Sequence, residues 1–530
     1  MGHRILEEGQ DLGAYAHGCE LCHVDGAVRK NEDGFACCLY TTSLRLETEN
    51  LAAKTQEVLS LTMPHPSASW RWVVVIVPGA LVYFLPVPGL DPAQRHLLAI
   101  FVATIVSLVA RPVPMGVSVV IAMTLLALTR TLPAEKVLSG FSNPTVWLVF
   151  TAFLFARAVI TTGLGLRIAY QFIRRFGHTA LTLGYSLVAA DVVLAPFVPS
   201  DTARGGGVVY PITRSLCKAL DSEPGPTANR IGTFLTLVSF HATYTASAMF
   251  LTGMVANPLI AGFARDIGHV ELTWLRWALA ASVPGLLSMI FVPYLIYRLN
   301  PPELKDIEPA RALAREKLHS LGRMKRDEIV LVVILVAVMV GWVTSPWHGI
   351  ANAFVALAGL SAILVFRVLT WDDLLSERKA WDALIWFAPL LMMAAALNEV
   401  GVINVLSKDV FAQLGGWPWK AALLALVVTY LYVHYCFASM TAHVTALYPV
   451  FLTAALAGGV PVMLAALALA FFSNLNAGIT HYGTGSAPIY FGAGYVGQAT
   501  WWKLGFLISI LNLVFWLGVG PLWWKLVGLW

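Results

Sequence analysis

The apolar runs near residues 72–90, 96–110, 113–129, 144–163, 231–262, 273–297, 328–345, 349–367, 382–406, 461–495 and 503–527 constrain this chain more than any other feature. A helix rises 1.5 Å per residue, so about 20 apolar residues cross the ~30 Å hydrocarbon core of a bilayer. Composition agrees: 58% of residues are hydrophobic and 12% are charged, about half the charge of an ordinary soluble domain. The expected fold is an all-α polytopic membrane protein with about eleven transmembrane helices.

Two shorter apolar runs, 183–198 and 420–437, end in polar clusters and turn back through 206–220 and 442–457. Backbone of that kind is tolerated at membrane depth only where protein or a water-filled cavity covers it. We read the stretches 184–220 and 420–457 as re-entrant hairpins. Arg167, Arg174 and Arg175 fall in one short loop, and 298–328 carries eight Lys/Arg against six acids. Placing both segments in the cytoplasm satisfies the positive-inside rule and predicts a cytoplasmic N-terminus and an external C-terminus. Segment 298–328 then reads as a cytoplasmic linker between a first transmembrane half, 63–297, and a second, 329–530. The net charge of +5 needs no nucleic-acid partner.

Residues 1–62 are polar, lack the apolar core of a signal peptide, and read as a disordered N-terminal extension. Their CELCH segment (Cys19, Cys22, His23) matches the c-type haem attachment pattern. A membrane-anchored haem or redox protein is therefore the competing reading from another class. Cys217 and Cys436 stand alone and read as packing residues.

Laid on itself at a shift of 239 residues (439 − 200 = 239), the chain shows an internal repeat. Trp147 falls on Trp386, Ser200-Asp201-Thr202-Ala203-Arg204 on Ser439-Met440-Thr441-Ala442-His443, and Thr245-Ala246-Ser247-Ala248 on Thr484-Gly485-Ser486-Ala487. With the predicted topology the halves are inverted, the arrangement of secondary transporters whose sites form where broken helices meet. At the first tip, Pro199 stops the incoming helix. Asp201 or Ser200 can then cap the outgoing one, and its bare amides suit an anion. Arg204, three residues beyond Asp201, is close enough to pair with it. The repeat expects His443 to face the same cavity as Arg204. A third and a fourth polar cluster, SFHATYTASAMF and GITHYGTGSAPIYFGAGY, interrupt spans; Gly483, Gly485 and Pro488 weaken helix in the latter, and Thr245, Ser247, Thr484 and Ser486 supply hydroxyls. Asp191 and Glu399 read as isolated acids, and no hydrolase, zincin or nucleotide-binding motif is present, so the chain does not read as an enzyme. Trp501-Trp502 and Trp523-Trp524 suit interfacial belts.

SNPTVWLVFTAFLFARAVITTGLGLRIA, APFVPSDTARGGGVVYPI, ASMTAHVTALYPVF and ITHYGTGSAPIYFGAGYVGQATWWKLGF together resemble the divalent anion:sodium symporter family. The resemblance is strongest to its branch of citrate/succinate antiporters and 2-oxoglutarate/malate translocators, and covers roughly residues 70–530. It implies eleven membrane helices and two hairpins, a homodimer, an elevator motion, and carriage of small di- or tricarboxylates with no cofactor beyond sodium in coupled members. It implies an inner-membrane location and carboxylate contacts at Ser200-Asp201-Thr202, Ser439-Met440-Thr441 and Thr484; with the repeat and the polar clusters, Arg204, Thr245, His443 and Ser486 complete the candidate substrate site, with sodium, where used, near Ser200, Thr245, Ser439 and Thr484. The family carries Ser-Asn-Thr at each tip; here Asp201 and Met440 replace both asparagines. Arg204 and His443 stand where sodium-coupled members have small hydroxyl residues, which points to an obligatory exchanger, with a sodium-coupled symporter as the alternative.

Overall fold

The computed structural model describes residues 68–530 apart from 86–87, 305, 403–404 and 406–415. The expected extension 1–62, with Cys19, Cys22 and His23, lies outside the described residues. Within them every regular element is helical. Among the described residues, eight helices are long and apolar enough to cross a membrane: Pro92–Ala110, Pro144–Thr162, Trp274–Leu299, Arg378–Glu399, Trp419–Cys436, Met440–Ala457, Val462–Ile479 and Gln498–Leu526.

Local chemistry explains where these helices begin and end. Pro144–Thr162 starts at Asn143, whose side chain accepts from the Thr145 amide at 2.9 Å, with Pro144 in the first turn. It ends at Gly163, whose φ of 77° is the left-handed conformation that glycine adopts without strain. Pro92–Ala110 opens on a reciprocal cap: Asp91 accepts from the Gln94 amide at 2.8 Å while Gln94 accepts from the Asp91 amide at 2.9 Å. Such caps satisfy amides that a helix leaves without partners.

The polarity is arranged for lipid. Val73, Ile76, Leu128, Val333, Val336 and Val365 are exposed, whereas the Gly232–Met249 helix buries Thr236, Ser239, His241, Thr243, Thr245 and Ser247. Polar groups turned inward and apolar groups outward are what a hydrocarbon solvent selects.

Two expected spans are broken. The run 231–262 forms Gly232–Met249 and Ala256–Gly268, separated by an irregular stretch. The freed carbonyls are met by Asn257, whose amide donates to Ser247 O at 2.8 Å and Phe250 O at 2.9 Å. The run 461–495 forms Val462–Leu475, a short 3-10 turn, an irregular 480–486 stretch and Ala487–Gly492. Asn474 donates to Asn257 Oδ1 at 2.8 Å, so the two interruptions are tied together in the protein interior.

Other expectations change. Arg167, Arg174 and Arg175 lie on a helix, Leu164–Phe176, not in a loop. Arg167 is buried, pairs with Glu328 at 2.8 Å and donates to Gly322 O. The linker contains a helix, Glu308–Leu321. Trp501 and Trp524 pack inside rather than at an interface, and Trp524 donates to Ala280 O at 2.8 Å. Cys217 is buried as expected, but Cys436 is exposed.

Candidate functional site

The incoming arm of the first hairpin, Ala180–Leu194, ends before an irregular Val198-Pro199-Ser200 segment. The outgoing arm begins with a π-helical turn, Thr202–Val209, and continues as Tyr210–Ala219. Such widened turns concentrate at functional sites. Ser200 Oγ accepts from the Ala203 amide at 3.1 Å. The second tip repeats this: Ser439 Oγ accepts from the Ala442 amide at 3.3 Å, at the start of Met440–Ala457. Ser200, not Asp201, makes the cap.

The 480–486 stretch is pressed against the first tip. Asp201 Oδ2 accepts from the Thr484 hydroxyl and from the Ser486 hydroxyl, the latter at 3.0 Å. Tyr490 donates to Gly205 O at 3.0 Å. Gly485 is required here, because a Cβ at that position would run into Thr202 Oγ1. On the other side His434 Nε2 lies 2.8 Å from Gly483 O.

Between these pieces is a cavity of about 500 Å³, within the size range of small-ligand sites. Ser200, Asp201, Thr202, Ser439, Met440, Thr441 and Thr484 line it, so both S-x-T triplets meet at one place. Arg111, Met254, Tyr482 and Gly485 complete much of the wall.

Four expected site residues do not line it. Ser486 is buried behind Asp201, which it hydrogen-bonds. Thr245 donates to its own helix, to His241 O at 2.7 Å. Arg204 has no exposure at all. It pairs with Asp191 rather than Asp201, Nε to Oδ1 at 2.7 Å, and donates to Val198 O, Gly253 O, Thr243 O and Ser247 Oγ at 2.7–3.2 Å. Sequence neighbours on a turn lost to a partner on the other hairpin arm because a buried guanidinium needs both a counter-charge and acceptors for its remaining N–H groups. Asp191 is therefore not isolated. Nor is Glu399, which meets Lys136 at 2.7 Å. His443 is also fully buried, enclosed by the rings of Tyr430, His434 and Phe437 at centroid distances of 4.4, 4.9 and 5.1 Å.

Sequence reasoning missed Arg111, Asn257 and Asn474. Each stood in plain view as a polar residue in or beside an apolar run. Arg111 follows Pro92–Ala110 with a left-handed φ of 49°, and its side chain is exposed.

Broken helices and hairpin tips converging on a cavity lined by their hydroxyls define a secondary transporter. The chain belongs to the family whose model is described as the sodium:sulfate symporter transmembrane region, which matches residues 67–530. It is 46% identical over 460 residues to the putative malate transporter YflS of Bacillus subtilis, covering 86% of this chain and 96% of that protein. It is 45% identical over 459 residues to the chloroplastic dicarboxylate transporter 1 of Arabidopsis thaliana, covering 86% and 82%. Inner membrane protein YbhI of Escherichia coli is 36% identical, covering 86% and 98%. Among solved structures, MtrF of Neisseria gonorrhoeae aligns with a TM-score of 0.54 at 13% identity, over 87% of this chain and 95% of that one. The fold is thus a transporter fold, and the chain is a multi-pass membrane transporter, not an enzyme.

Proposed function

We propose that this transporter exchanges small di- or tricarboxylates across a cell's inner membrane, one acid moving in as another moves out. The observation that carries the reading is the convergence of both S-x-T tips on one cavity, where hydroxyls and helix-start amides suit carboxylate oxygens. The names of its malate and dicarboxylate relatives and the inner-membrane name of the Escherichia coli protein support the substrate class and location.

Exchange rather than sodium symport is supported by Arg204. Its guanidinium sits among three carbonyls, one hydroxyl and one carboxylate, a ligand set of the kind that holds a hard cation. The guanidinium fills that cation position permanently, with Asp191 balancing its charge, so no coupling sodium loads or leaves there. With no coupling ion to drive net uptake, transport runs by exchange against a counter-substrate. The elevator motion and the homodimer implied by the family resemblance, and the cytoplasmic N-terminus predicted from the positive charges, belong to the same proposal.

The test is counterflow in liposomes. Labelled succinate or malate should enter only when an unlabelled acid is inside, with or without sodium. Uptake that needs a sodium gradient and no internal acid would overturn exchange in favour of the symporter. Transport of sulfate but of no carboxylate would overturn the substrate class.

A further inference from the structure

Asp201 stands where a dianion meets repulsion. Its side chain lines the cavity although the residue is only 6% exposed. Oδ2 is held by the Thr484 and Ser486 hydroxyls. Oδ1 has only the Thr202 hydroxyl, at a long 3.5 Å. An ionised carboxylate accepts at about four lone-pair positions and donates nothing, so this one has acceptor capacity to spare.

Nothing nearby neutralises it from within. Arg204 is engaged by Asp191. Arg111 and Asp201 are the only charged side chains among the described residues of the lining, one cation and one anion. An unsubstituted dicarboxylate offers this cavity two acceptor groups. Arg111, the tip hydroxyls and the helix-start amides suit those, but Asp201 does not. A hydrogen-bond donor on the ligand, next to one carboxylate, turns the contact with Asp201 from repulsion into a charge-assisted bond.

We propose that Asp201 is a specificity-determining residue: it selects dicarboxylates that carry a hydrogen-bond donor on the carbon beside one carboxylate, hydroxyl or ammonium, over unsubstituted ones. This rests on the dicarboxylate reading above. Thr484 and Ser486 are positioning residues, fixing Oδ2 so that Oδ1 remains for the ligand. Arg111, the cation of the lining, is left for the ligand's carboxylates.

Succinate, malate and aspartate share a four-carbon chain and differ only in bearing hydrogen, hydroxyl or ammonium at the second carbon. In proteoliposomes loaded with malate, each is titrated against uptake of labelled malate. Malate and aspartate should compete at roughly ten- to hundred-fold lower concentration than succinate, the ratio expected of one hydrogen bond to a charged group. Strong competition by malate alone identifies the hydroxyl as the group read, and by aspartate alone the ammonium. Asp201→Asn, whose side chain both donates and accepts, should bring the three within about three-fold, chiefly by improving succinate. Succinate competing as well as both others in the wild-type protein overturns the proposal without any variant. So does an unaltered ratio in Asp201→Asn. Absence of any malate exchange is a different result and overturns the dicarboxylate reading instead.

Discussion

Replacing Arg204 with Gln should cost this protein more stability than any change to the cavity wall. The side chain is fully buried and makes five polar contacts. Its removal strands the Asp191 carboxylate, also fully buried, and breaking such a pair from one side costs about 3–5 kcal/mol. Thr243 O keeps a donor, because Ser247 Oγ bonds it at 3.0 Å. Val198 O and Gly253 O do not, and each orphaned group adds about 1–3 kcal/mol less whatever Gln or water recovers. The sum before that recovery is about 5–11 kcal/mol, comparable to the whole stability of many domains. Asp191→Asn should cost about 3–5 kcal/mol, leaving the guanidinium charge uncompensated. The double variant removes both charges and should be less stable than wild type only by the orphaned carbonyls. The coupling energy of the cycle should then be about 3 kcal/mol or more. Unfolding titrations of the four proteins in mixed micelles measure it. An Arg204→Gln protein within about 1 kcal/mol of wild type, or a double variant as unstable as the two singles summed, would refute the reasoning.

Thr202→Ala and Thr441→Ala should each reduce malate exchange by ten-fold or more, about 1.4 kcal/mol per decade, with little change in unfolding; unchanged uptake in both removes the tips from the site. Gly485→Ala places a methyl group on Thr202 Oγ1 and should abolish exchange in a protein that still purifies as folded, as counterflow and size-exclusion profiles will show. Asn257→Ala frees Ser247 O, leaves Phe250 O with only the Gly253 amide, and cuts the link to Asn474; a loss of about 1–3 kcal/mol is expected, read in the same unfolding titration.

The membrane class and the helix interruptions at Ser200 and Ser439 were legible because they depend on local properties: run length, a proline, and a triplet that recurs at fixed spacing. Thr245 shows the limit of that reading. Its repeat mate Thr484 bonds Asp201 and lines the cavity, yet Thr245 bonds its own helix, since identical residues in a repeat need not face alike once the intervening helix breaks differ. Arg111 escaped notice for the opposite reason. An arginine at the end of an apolar run is ordinary, and only the packing of other elements brings the cavity to it.

By itself the sequence determined the solvent this protein folds in and the places where its helices must stop, because apolar length and helix-breaking residues act over a few turns. The tertiary structure decided the partners of the buried charges. Arg204 could have paired with Asp201 beside it or with Asp191 on the other arm. It took Asp191, where carbonyls from the tip and the first helix break also satisfy its remaining donors. That choice left Asp201 to the hydroxyls of a segment 283 residues away and placed an uncompensated carboxylate in the cavity wall. A buried charge settles where all its hydrogen bonds are met at once, and that place exists only after distant segments have packed.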